Sequence, residues 1–89
     1  MDQPADSATA AKDQLVLGGA LRELRRQAGL TQEQVGDRLG TDATFVSRIE
    51  RGKRGVRWHT LQRFLRVLDA DLHQLADAAA RQNPRKSQS

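Results

Sequence analysis

The sequence predicts an all-α fold, a compact bundle of five short helices occupying residues 15–80. Apolar residues recur at i, i+3, i+4 and i+7 through the middle of the chain, and each such run ends in turn residues. No stretch alternates apolar and polar residues with the Val, Ile and aromatic content that a strand requires. With 89 residues and 37% hydrophobic content, the chain supports one small domain.

The first helix is carried by Leu17, Ala20, Leu21, Leu24 and Ala28, which share one helical face, and Gly29 supplies its stop. Thr31 followed by Gln34 has the spacing of a capping box, so a second helix starts there, buries Val35 and Leu39, and ends at Gly40. Asp42 caps the third, expected from Ala43 to Arg51 with Val46 and Ile49 inward and Gly52 as its stop. Trp58, Leu61, Phe64, Leu65 and Leu68 form the widest apolar stripe, a fourth helix. Asp71 and Gln74 repeat the capping-box spacing before a fifth, with Leu72, Leu75, Ala76 and Ala79 on its apolar face. Residues 1–14 and 81–89 lack this periodicity and are expected to be flexible tails, the second of them basic.

The net charge of +4 hides an asymmetry. Asp2, Asp6 and Asp13 face only Lys12 at the start of the chain, whereas Arg48, Arg51, Lys53, Arg54 and Arg57 cluster around the lone Glu50. Such a cluster is where a polyanion would bind. Helices two and three, separated only by Gly40, Thr41 and Asp42, can bury their apolar faces only by crossing steeply. Gly36, in the middle of the second, costs up to about 1 kcal/mol relative to Ala, and close approach of the third helix is the packing reason it asks for.

The segment TQEQVGDRLGTDATFVSRIERGKR resembles the helix-turn-helix of the Cro and phage-repressor type, also called xenobiotic-response-element-like. The resemblance rests on Thr31-Gln32, Gly36, Gly40, Val46 and the run Ile49-Glu50-Arg51-Gly52, and it extends from Leu17 to about Ala79. It implies that helices two and three form the helix-turn-helix of a small bacterial or phage transcriptional regulator. The third helix would then lie in the major groove of double-stranded DNA, with Ala43, Thr44, Ser47, Arg48 and Arg51 on the face opposite Val46 and Ile49. Arg48 suits the paired acceptors of guanine, or else a phosphate; Ala43 and Thr44 suit a thymine methyl. Phe45 sits at the edge of this face, and contact with thymine methyls or sugars stands beside packing against the fourth helix near Trp58.

By the same resemblance Gln32 is a phosphate clamp at the start of a helix, where free amides favour an anion. Lys53, Arg54 and Arg57 would track the backbone or reach the minor groove. Where family members commonly have Pro-Ser this chain has Val56-Arg57, an electrostatically poor helix start. Glu50 would repel phosphate if it faced the groove, and the family implies an inward ion pair with Arg25.

One recognition helix reads few base pairs, so a homodimer on a palindromic operator is expected, with Leu72, Leu75 and Ala79 as candidates for the pairing surface and Leu15 and Val16 as contributors. Two other readings stand beside a repressor: an antitoxin-type module that binds a partner protein such as a toxin as well as DNA, and the controller protein of a restriction-modification system. An enzyme is disfavoured. His59 and His73 have no cysteine or acidic cluster beside them, and no histidine lies close enough in sequence to activate Ser7, Ser47, Ser87 or Ser89. No metal, cofactor or small-molecule ligand is indicated. Without Cys, a signal peptide or an apolar run near 18 residues, the chain is expected to be cytoplasmic.

Overall fold

The computed structural model describes residues 7–82 and shows five helices and no strand among them. Helix α1 runs over Ser7–Gln27, so it starts well inside the segment expected to be a tail. Two physical reasons account for the earlier start. The Ala-rich stretch from Ser7 to Lys12 contains no helix breaker, and Ala has the best helix propensity. Further along, Gln14 and Leu15 lie against the turn that follows the third helix: a methyl group at Gly52 would sit 2.7 Å from Leu15 Cδ2, and one at Gly55 3.1 Å from Gln14 Nε2. Residues 1–6 and 83–89, the remainder of the two expected tails, lie outside the described residues.

Helix α2 covers Gln32–Leu39 and starts on a complete capping box, in which Thr31 Oγ1 accepts the Gln34 amide at 3.0 Å and Gln34 Oε1 accepts the Thr31 amide at 2.8 Å. Its stop is Gly40 at φ 79°, a left-handed conformation that L side chains resist. Helix α3 spans Ala43–Glu50, with Asp42 Oδ1 accepting the Phe45 amide at 2.9 Å and Arg51 serving as the C-terminal cap residue. Helix α4, Trp58–Val67, begins at Arg57 without any side-chain cap, in keeping with the cation found there. Leu68 caps its C-terminus, and Asp69 beyond it, at a φ of 54°, gives the turn a left-handed residue without a glycine. Helix α5, Leu72–Gln82, starts on a reciprocal pair between Asp71 and Gln74 at 2.9 and 3.0 Å.

Helix α1 packs against α5 and α3, and α2 against α3 and α4. Phe64, Leu21, Ile49, Val35 and Val46 are the largest fully buried side chains, one or more from each of the first four helices. Several faces differ in detail from the periodic expectation. Ala28 is exposed because α1 ends at Gln27, and Leu30 beyond the turn packs on the core instead. Trp58 is exposed because α4 meets the core only from Leu61 onward. On α5 the inward pair is Leu75 and Ala78, with Ala79 packed beside them, and Ala76 faces outward.

The last turn of α5 also extends past the expected domain end. Arg81 Nε donates to Glu23 Oε2 at 2.6 Å, and Gln82 donates to Glu23 Oε1 at 3.3 Å, tying this end of α5 to α1. That hydrogen bond, helped by the negative charge of Glu23, raises the Arg81 guanidinium above its ordinary pKa.

Candidate nucleic-acid interface

The interface is built on the crossing of α2 and α3, and two glycines set its geometry by what they leave out. A methyl group on Gly36 would lie 2.5 Å from the backbone carbon of Asp42, so α2 and the cap of α3 touch backbone to backbone. At the other end of α3, a methyl group on Gly18 would lie 2.1 Å from the carbonyl oxygen of Ile49 and 2.8 Å from that of Glu50. Gly36 was readable as a close approach. Gly18 was not, since its partner is about thirty residues away in sequence and only the tertiary arrangement brings them together.

Beside Gly18 the Arg25 and Glu50 side chains form a buried pair, 10% and 1% exposed. Arg25 donates from Nε to Glu50 Oε2 at 2.6 Å and from Nη2 to Oε1 at 3.1 Å, a two-pronged contact of the kind a planar guanidinium favours. Arg25 Nη1 also donates to the Leu30 carbonyl at 2.8 Å. Gln32, expected at a phosphate, turns its amide inward and donates to Glu50 Oε1 at 3.0 Å. The carboxylate of Glu50 therefore ties α1, α2 and α3 together and faces away from the solvent side of α3.

On that solvent side Thr44, Arg48 and Arg51 are exposed, while Ala43 and Ser47 are half-buried at its margins. The guanidinium groups of Arg48 and Arg51 make no hydrogen bond or ion pair with another described residue. Phe45 is half-buried against the core, and the ring carries the Arg54 guanidinium 4.7 Å from its centroid. The ring thus packs on the core and also backs a cation of the following turn. Lys53, Arg54 and Arg57 are exposed in the turn beyond α3, and this turn is backed by Gln14 and Leu15 of α1. Of the three residues expected to pair copies of the chain, Leu72 is 52% exposed, Ala79 is half-buried, and Leu75 is buried in the chain's own core. Leu75 is therefore unavailable, because α5 uses it to cover α1.

No group of three or more His, Asp or Glu side chains among the described residues is placed to hold a metal ion, and no helix among them is long and apolar enough to cross a membrane. The arrangement offers cations unpaired among the described residues, and a hydroxyl, on the outward side of a helix whose inward side is buried.

A family model described as a helix-turn-helix domain matches residues 16–78. Among solved structures, the chain is similar to the clp gene regulator ClgR from C. glutamicum at 26% identity and a TM-score of 0.73, over 79% of this chain and 91% of that one. A second structure of ClgR from Corynebacterium glutamicum gives a TM-score of 0.69 at 26% identity, over 83% of each chain. Similarity to the restriction-modification controller protein C.AhdI from Aeromonas hydrophila reaches 34% identity with a TM-score of 0.68, over 73% of this chain and 94% of that one. No curated protein sequence matches the chain significantly.

Proposed function

The chain belongs to the helix-turn-helix domain family of DNA-binding regulators, which are not enzymes, and on that premise we propose that it is a sequence-specific transcriptional repressor acting as a homodimer. The observation that carries this reading is the division of labour on α3: Val46, Ile49 and Glu50 are buried inward, and Thr44, Arg48 and Arg51 stand outward without partners among the described residues. Such a face fits the major groove, where Arg48 pairs with guanine O6 and N7 and Thr44 and Ala43 meet thymine methyls. Lys53, Arg54 and Arg57 neutralise phosphates alongside. Because the Gln32 amide is held by Glu50, the phosphate at the start of α2 is bound by the free backbone amides of its first turn, which the buried network holds in place.

A homodimer supplies the second reading head on a palindromic operator, the two half-sites lying about 34–36 Å apart. Leu72, exposed at the start of α5, is the residue for that contact. A second reading, the controller protein of a restriction-modification system, is favoured by the 34% identity to C.AhdI over nearly the whole of that protein. It shares the DNA chemistry and differs in activating as well as repressing.

The test is fluorescence anisotropy on the DNA upstream of the chain's own reading frame against a scrambled duplex, across a salt series. Repression through this surface predicts affinity at least about a thousandfold tighter for the upstream DNA, with steep salt dependence on both duplexes. Binding to neither at low salt overturns the DNA reading and favours an antitoxin-type module whose partner protein would then co-purify. A reporter under the same upstream DNA separates repression from activation.

A further inference from the structure

Trp58, the chain's single tryptophan, is 57% exposed at the first position of α4, with exposed Arg57 before it and exposed His59 after it. A large aromatic side chain is normally buried, and its indole N–H normally finds a partner when it is. Trp58 does neither: its indole N–H has no hydrogen-bond partner among the described residues. Its surroundings define what would cover it. From Arg51 to Leu68 the sequence holds no Asp or Glu, and it carries Arg51, Lys53, Arg54, Arg57, Arg63 and Arg66. A second copy meeting this face would set cations against cations, so the charge selects an anionic partner with apolar surface between its charges. A sugar–phosphate strand has that alternation, its deoxyribose faces spaced by phosphates.

The placement of Trp58 agrees with this chemistry. Arg54 is anchored on the Phe45 ring of α3, and Arg63 Nη2 donates to the Leu39 carbonyl at the end of α2 at 2.9 Å, so both sides of Trp58 are fastened to the helix-turn-helix. Four residues of extended chain span at most about 14 Å, which keeps Trp58 within reach of the strand that Arg54 would follow.

We propose that Trp58 is a sugar–phosphate contact of the DNA interface, its ring lying on deoxyribose and its Nε1–H donating to a phosphate oxygen. This rests on the DNA reading above and adds a residue outside the recognition helix. The contact carries no sequence information, because sugars and phosphates are the same at every step.

Any mixed-sequence duplex in low salt therefore tests it, with tryptophan emission and the anisotropy of labelled DNA followed together. The emission is expected to change in parallel with anisotropy. Trp58→Ala is expected to weaken binding about fivefold to tenfold on mixed-sequence and upstream DNA alike, leaving the salt slope and the thermal melting curve as they are. Trp58→Phe, which keeps a ring and loses the N–H, should fall between. Emission that stays put while anisotropy saturates overturns the assignment of Trp58 alone. So does Trp58→Ala binding as tightly as the parent, or a loss confined to one sequence. A change in sedimentation with unchanged DNA affinity overturns it in favour of a protein contact. If the parent protein binds no duplex, the DNA reading of the whole face fails.

Discussion

Replacing Glu50 by Ala removes the acceptor of three hydrogen bonds and leaves the Arg25 guanidinium, 10% exposed, with the Leu30 carbonyl as its remaining partner. Breaking a buried pair from one side costs about 3–5 kcal/mol, because the orphaned charge stays in a low-dielectric site. Arg25 keeps one carbonyl and a little solvent, so the lower end applies, about 3 kcal/mol. A domain of this size loses about 4–8 °C of melting temperature per kcal/mol, which gives a drop of about 12–24 °C.

The assay is thermal unfolding by circular dichroism at fixed pH and ionic strength. Arg25→Met made in the Glu50→Ala background separates the orphaned charge from lost packing. If the cost is the unpaired cation, the double variant melts higher than Glu50→Ala alone, since replacing both charges can be close to neutral. A drop of less than about 4 °C for Glu50→Ala, or strict additivity of the two substitutions, refutes the argument.

Three further outcomes follow from the geometry. Gly18→Ala should lower the melting temperature although Ala is the better helix former by about 1 kcal/mol, because the added carbon meets the rigid carbonyls of Ile49 and Glu50; a stabilised variant in the same melt would show that α1 and α3 are not in contact there. Arg48→Ala should cost about 1–3 kcal/mol on the upstream DNA and much less on scrambled duplex, measured as the ratio of the two Kd values, and an equal loss on both would reassign Arg48 to a phosphate. Lys53→Ala should weaken both duplexes alike and flatten the plot of log K against log salt by about 0.9, so an unchanged slope would place Lys53 off the DNA.

Local chemistry explains why the helix order and most boundaries were legible. The capping boxes at Thr31 and Asp71, the Asp42 cap and the left-handed glycines at positions 29, 40 and 52 each act within a few residues, so sequence spacing reports them directly. The start of α1 was missed because Ser7 to Gln14 has no apolar periodicity of its own; it is helical by propensity and by the contact of Gln14 and Leu15 with a turn far along the chain. Ala76 and Ala78 show a related limit. Both are small and apolar, so periodicity alone could not tell which one α5 turns toward α1. Gly18 and the inward Gln32 amide were illegible for the same reason, since each is explained by a partner on another helix. The resemblance supplied Arg25 as the partner of Glu50, which charge spacing alone could not have chosen among the arginines of the first helix.

What the family fold contributes and what this chain contributes can be separated along α3. Its two ends are fixed by different devices, the Asp42 cap with Gly36 at one and the Glu50 network with Gly18 at the other, and all of these act on backbone or buried atoms. None of them touches the outward positions 44, 48 and 51. The outward side chains can therefore vary without disturbing the scaffold, which is the physical basis for one fold serving regulators with different operators. Fixing the helix also lowers the ordering cost of binding, since only side-chain rotamers remain to be frozen. Arg48 and Arg51 are long and unpartnered within the described chain, so they bear most of that residual cost. Arg54, already resting on Phe45, bears less. Arg54 is thus more preorganised than the helix face it flanks, and on the proposed DNA reading it would grip the backbone at a smaller ordering cost than the base contacts carry.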